Sequence, residues 1–125
     1  MARDLYSPSA LFRGAFLFAS KKYGNVGILS AKYGFLFPED PVEPYEITLN
    51  NFNIDQRKKW AERVFQQMDD KLDISILNDV YFHAGVNYRE HLIPKLSAKG
   101  IRCQVPLVGL TLGQQISWYS KHKLT

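Results

Sequence analysis

Apolar positions along the chain fall into two rhythms. Ala61, Val64, Phe65, Met68 and Leu72 recur three or four positions apart, which predicts an amphipathic helix over residues 54–72 with Asn53 as its cap. Residues 10–20 are apolar on most sides, with Leu11, Phe12, Phe16, Leu17 and Phe18, and predict a buried helix. Ser7 is the expected cap of that helix and Pro8 suits its first turn; Lys21 and Lys22 favour its C-terminal dipole, and Gly24 can stop it. Three short apolar runs bounded by turn residues read as strands: residues 26–29, 80–83 and 101–105. A helix over residues 86–98 turns Tyr88, Leu92 and Leu96 inward and stops at Gly100, and Pro94 inside it should kink or shorten it. The last helix is residues 112–121, with Leu112, Ile116 and Tyr119 on one face.

Strands separated by helices imply right-handed crossovers and parallel pairing. The expected fold is α/β, a three-layer Rossmann-like sandwich with a short, mainly parallel sheet. Ligands of such folds bind outside the carboxyl ends of the strands, which singles out residues 30–34, 83–89 and 106–113. Residues 30–53 form the longest stretch without clear periodicity. Pro38, Pro41 and Pro44 alternate there with Phe35, Phe37 and Tyr45. Loops of that length are usually functional or disordered, and the aromatics argue against disorder.

Length and composition narrow the class. At 125 residues, 46% hydrophobic and 22% charged, the chain reads as one folded domain over residues 1–125, not as a disordered or fibrous one. Cys103 stands alone, so an internal disulfide is excluded and a reducing compartment fits. No run reaches the ~20 apolar residues of a membrane span, and no secretory leader is evident, so a cytoplasmic protein is expected. The net charge of +4 is unevenly spread. Residues 1–36 hold five bases and one acid; residues 37–56 hold Glu39, Asp40, Glu43, Glu46 and Asp55 with no base; the chain after Glu90 holds five bases and no acid. A basic body with an acidic loop can hold an anionic ligand beside a carboxylate, and it can equally be a set of solvated surfaces.

Candidate chemistry follows the strand exits. Ser30 can donate to an anionic or carbonyl oxygen, Lys32 can pair with a phosphate and Tyr33 can stack on a base; the alternative is a plain strand exit with Gly34 at positive φ and Tyr33 on the core. At residues 83–89, Gly85 lets a ligand approach a helix start and Arg89 can grip a phosphate, although neither a P-loop nor a dinucleotide fingerprint is present. His83, on an apolar strand, suits a hydrogen-bonded core histidine or a catalyst. In the acidic loop Glu43, between Val42 and Pro44, is the carboxylate best suited to orient water or stabilise an oxocarbenium ion, against a merely solvated acidic loop. His83, His91 and His122 lack ligand spacing, so no metal is expected, and nothing calls for a cofactor. Arg57, Lys58 and Lys59 read as a solvated run able to touch nucleic-acid phosphates.

The run from Ile28 to Leu36, then Pro38 and Glu43-Pro44-Tyr45-Glu46-Ile47-Thr48-Leu49, resembles an uncharacterised bacterial and phage domain family that is distantly similar to the peroxide-stress YaaA proteins. Ala2-Arg3-Asp4-Leu5-Tyr6, Ala84-Gly85 with Tyr88-Arg89, and Pro106-Leu107 with Gly113-Gln114-Gln115 extend the match over nearly the whole chain. The resemblance implies DNA binding and protection from oxidative damage. A wider similarity to a domain of archaeosine synthase implies a nucleobase ligand. Relatives carry a strand before the Ala-Arg-Asp-Leu-Tyr segment, ending in Cys-Ser with a nearby Lys; its absence here implies an uncovered sheet edge, and hence a homo-oligomer or a partner protein over it.

The resulting expectation is a nucleobase, nucleotide or nucleic acid bound at the carboxyl edge of the sheet. Ser30, Lys32, Tyr33 and Gly34 form one wall, Gly85, Tyr88 and Arg89 the anion-facing wall, and Glu43 with Tyr45 the covering loop. Any catalysis would be N-glycosidic or base-modifying, with Glu43 as the carboxylate. The competing expectation is a catalytically inactive interaction module, of a kind that phages also encode, that binds a host protein or a signalling nucleotide; a third is plain DNA binding through the basic surface.

Overall fold

The computed structural model describes residues 1–6, 9–45 and 47–123. Its elements form two compact units. One comprises Met1–Ile28, Phe37–Pro44 and the chain from Leu107 on; the other comprises Leu29–Leu36 and Tyr45–Pro106.

In the first unit, α1 is Ala10–Lys22, and Ser9 caps it by accepting from Phe12 N at 3.2 Å. The caps expected of Ser7 and Pro8 lie outside the described residues. Lys21 and Lys22 do occupy the last turn. The other helix, here α5 in chain order, is Leu112–Lys121, started by a reciprocal capping box between Thr111 and Gln114. The two helices pack through aromatic rings: Phe18 lies edge-on to Trp118 at 4.9 Å. The expectation of a buried α1 fails, because only its Ala19 is buried and Leu17 is 47% exposed. A helix apolar all round needs neighbours all round; in its own unit α5 is the helix packed against it. Leu112 is exposed as well, so the inward face of α5 starts a turn later, at Ile116 and the buried Tyr119. A 3-10 turn at Ala2–Asp4 runs along residues 37–40, with Ala2 N donating to Asp40 O at 2.7 Å and Arg3 N to Pro38 O at 3.0 Å. Asp40 in turn accepts from Phe37 N, so part of the acidic loop is a structured turn.

The second unit is built round α2, Ile54–Lys71. Asn53 and Gln56 form its capping box, and Trp60, Ala61, Val64 and Met68 are buried. β1 (Ile28–Ser30) pairs with β2 (Gly34–Leu36). Their three-residue connection is too short for the crossover that a parallel pair needs. β3 (Asp79–Tyr81) pairs in parallel with β4 (Arg102–Gln104), in the register Asp79 to Arg102, Val80 to Cys103 and Tyr81 to Gln104. Between them the expected helix is split into α3 (Val86–Arg89) and α4 (Ile93–Ser97). Pro94 stands in the first turn of α4, where its missing N–H costs nothing, and its ring would collide with the carbonyl of Glu90 in a continuous helix. Ala31, Leu49, Ile74, Phe82, Leu92, Leu96 and Ile101 are buried in the same unit.

The fold is therefore mixed α/β, with a strand–helix–strand crossover where alternation predicted one. The single, mainly parallel sheet is not formed by the described strands: β1 pairs with β2 and not with β3 or β4. Residues 30–53 are also less irregular than expected, holding β2 and a 3-10 turn at Leu49–Asn51. Gly34, Phe35 and Leu36 are all buried, so β2 shows no alternation, and three residues are too few to reveal a period. Among the described residues, no helix is long and apolar enough to cross a membrane.

Candidate functional site

β1 delivers Ser30 to its carboxyl end fully buried. Its hydroxyl donates to Tyr45 Oη at 2.7 Å and accepts from Tyr33 N at 3.0 Å. Tyr45 Oη also accepts from Ala31 N at 3.1 Å. The Ser30 carbonyl receives Trp60 Nε1 at 2.9 Å. The hydroxyl expected to face a ligand is thus spent on the frame that folds residues 30–33 into a turn. A buried hydroxyl without such partners would cost about 1–3 kcal/mol.

That frame carries two side chains outward. Lys32 is exposed and Tyr33 is half-buried. The Lys32 ammonium stands 5.2 Å from the centroid of the Tyr33 ring, and Tyr33 meets Tyr45 at a right-angled contact of 5.7 Å. Gly34 follows at φ +81°, the left-handed conformation expected of it.

The backbone of this turn is held by α2. Trp60, Arg63, Gln67 and Lys71 recur at helical spacing and each donates to it: to Ser30 O, Lys32 O, Tyr33 O and Phe35 O, at 2.9, 2.9, 3.1 and 3.2 Å. Gln67 Oε1 also accepts from Phe35 N at 2.8 Å. Sequence reasoning missed these four. Their signal was present as a stripe of long donor side chains beside the apolar stripe 61/64/68, but a pattern search for apolar residues passes over it.

The second predicted wall is arranged differently. α3 is a single turn, too short for the summed dipole on which an anion site at its start depends. Arg89 folds back to donate to Ala84 O at 2.7 Å. Tyr88 stands at right angles to Trp60, 5.6 Å between centroids, so Trp60 joins the two walls by touching both Tyr88 and Ser30. Gly85 is exposed, at φ −65°, a conformation open to any residue. Arg57 is half-buried, not solvated: its Nε lies 3.4 Å from a Glu90 carboxylate oxygen that His91 Nε2 approaches to 3.3 Å. Lys58 and Lys59 are exposed.

Ser30, Lys32, Tyr33, Gly34, Tyr45, Gly85, Tyr88 and Arg89 all belong to the second unit; Glu43 belongs to the first and is exposed. Burial lowers the pKa of His83 below the ordinary 6.5, keeping it neutral, as a core histidine would be. Burial raises the Cys103 thiol, partly opposed by its contact with Ser97, so it has no thiolate character at neutral pH. Among the described residues no group of three or more His, Cys, Asp or Glu is placed to hold a metal ion. An open cleft of about 680 Å³ occupies the C-terminal end of α2, lined among others by Asp69, Asp70, Asp73 and Lys99, and holds none of the predicted residues.

No curated protein and no solved structure matches the chain. The sequence does match one family over residues 1–121, across both units, and the chain belongs to that family, the family of unknown function DUF6884.

Proposed function

We propose that the protein binds a nucleobase, nucleotide or nucleic acid at the turn that leaves β1. The observation that carries this reading is the pairing of Lys32 with the Tyr33 ring, 5.2 Å apart, on a turn fixed by Ser30, Tyr45 and α2. A nucleotide presents a π face and an anionic phosphate, and this tip offers a ring and a cation next to each other. Arg63, held at the Lys32 carbonyl, and the exposed Lys59 one turn before it add positive charge on the same side of α2. The distant similarity to the peroxide-stress YaaA proteins and the three-layer Rossmann-like arrangement belong to this proposal. Any catalysis at the turn would be N-glycosidic or base-modifying chemistry, and it predicts turnover of a nucleoside.

The test is a fluorescence titration of wild type and Tyr33→Ala with AMP and with a labelled 12-nucleotide single strand. Loss of the ring should weaken binding roughly tenfold, the usual worth of one stacked base. Equal affinity of the two proteins, or no binding by wild type, overturns the reading.

A further inference from the structure

Gln67 grips the turn on both sides of Gly34. Its amide oxygen accepts from Phe35 N at 2.8 Å and its amide nitrogen donates to Tyr33 O at 3.1 Å. The amide orientation is fixed by chemistry, since a backbone N–H only donates and a carbonyl only accepts. The side chain therefore completes two backbone bonds as a neighbouring strand would, but from a helix. Gly34 makes this possible twice over. It supplies φ +81°, and a Cβ there would occupy the space of the Gln67 amide. Arg63 and Trp60 hold carbonyls nearer the start of the turn, and the Tyr33 N–H is taken by Ser30. Gln67 binds both the carbonyl of Tyr33 and the N–H beyond the glycine, the most permissive joint in the segment.

We infer that Gln67 is the positioning residue of the Lys32–Tyr33 tip: it locks the joint at Gly34 and so presents the Tyr33 ring in one orientation for stacking. The ligand part of this inference rests on the reading of the tip as a nucleobase or nucleotide site; the locking part does not. The chemistry suggests its own probe. A neutral carboxyl has one acceptor and one donor, as the amide does, whereas a carboxylate has acceptors only and would face the Tyr33 carbonyl. Gln67→Glu should therefore imitate wild type when the introduced carboxyl is protonated and fail when it is ionised.

The experiment measures amide exchange of Phe35 by NMR, and binding of AMP and of the labelled 12-nucleotide strand, in wild type, Gln67→Met and Gln67→Glu. In Gln67→Met the Phe35 amide should exchange about fivefold to tenfold faster, the fold-change of one lost hydrogen bond, and affinity for the probe should fall severalfold. Should Gln67→Met fail to fold, Gln67→Glu carries the test alone: Phe35 protection relative to wild type should be near normal at about pH 4 and lost by pH 7. Unchanged Phe35 protection in Gln67→Met, or protection in Gln67→Glu that tracks wild type across this range, overturns the inference. Faster exchange with undiminished probe affinity overturns the positioning role. If wild type binds neither probe, the reading of the site fails, and with it the ligand part of the inference, while the exchange data still decide the locking of the joint.

Discussion

Helix α2 presents Trp60, Arg63, Gln67 and Lys71 to the backbone of residues 30–35, whereas α1 presents Gly14 and Phe18 to the rings of Trp118 and Tyr119. One contact is made of directional bonds from side chain to main chain, the other of ring surface and close approach. Directional bonds fix an orientation and depend on keeping each donor opposite its acceptor. Ring packing is indifferent to polarity and depends on volume. The first kind suits a turn that must hold an exposed lysine and a half-buried tyrosine still; the second suits a scaffold. The two regions should accordingly fail under different substitutions.

The largest effect is expected at Gly34. Gly34→Ala forces a Cβ into the left-handed region, costing about 1–2 kcal/mol, and pushes the Gln67 amide off its two partners at about 0.5–1.5 kcal/mol each. Unfolded-state entropy returns less than about 1 kcal/mol. A net loss of about 2–3 kcal/mol in urea denaturation is the expected outcome. A loss below about 1 kcal/mol would mean that the polar clamp holds nothing that the turn does not hold itself.

A smaller loss is expected from the same change in the ring-packed region. Gly14 lies within α1, where Ala is the better helix former by about 1 kcal/mol, so the isolated helix would gain. Yet a Cβ at Gly14 would stand 2.9 Å from Tyr119 Cβ, the root of a buried ring and not a flexible tip. Overpacking of that kind costs about 1–3 kcal/mol, leaving a net loss of about 1 kcal/mol. The comparison sharpens if Tyr119→Gly, which removes that Cβ and the ring with it, turns Gly14→Ala into a stabilising change. It breaks if Gly14→Ala destabilises equally in both backgrounds.

The same contrast explains what the sequence made legible. The helix at Ile54–Lys71 was readable to within a residue because its Asn53 cap and its apolar period agreed, and the last helix at Leu112–Lys121 was readable from its apolar spacing without a cap. The break before α4 was readable from Pro94 alone. The burial of α1 was misread, since Leu11, Phe12, Phe16 and Leu17 state that a surface is apolar but not what covers it. β2 was invisible at three residues. For the site, residue types at 30–34 marked a turn, and the chain does turn there, but they did not show that the Ser30 hydroxyl points to Tyr45: a serine after an apolar strand looks the same whether it faces a ligand or Tyr45. Gln67 could not be found from its own neighbourhood, because its partners Tyr33 and Phe35 lie more than thirty positions away and are backbone atoms, which leave no trace in residue identity.

The effects that divide the two regions most cleanly are those of pH. Tyr119, in the ring-packed region, has its pKa pushed up to about 12 by burial and, secondarily, by Tyr23. The unfolded chain releases that proton near the ordinary 10.0 while the folded chain keeps it, so in between the unfolded state binds fewer protons and stability falls as pH climbs from 10 towards 12. His83, in the second unit, runs the other way. Burial lowers its pKa, so below 6.5 the unfolded chain takes up a proton that the folded chain resists, and stability falls as pH drops through that window. Each region also holds one of the two tryptophans, Trp118 in the first and Trp60 in the second. Urea denaturation across pH 5–11, followed by the Trp118 signal in Trp60→Phe and the Trp60 signal in Trp118→Phe, resolves the two limbs. Tyr119→Phe should flatten the alkaline limb and leave the acid one, and His83→Gln should do the reverse. If either substitution flattens both limbs or neither, the pH response does not belong to these two buried groups, and the separation of the regions by their chemistry fails at that point.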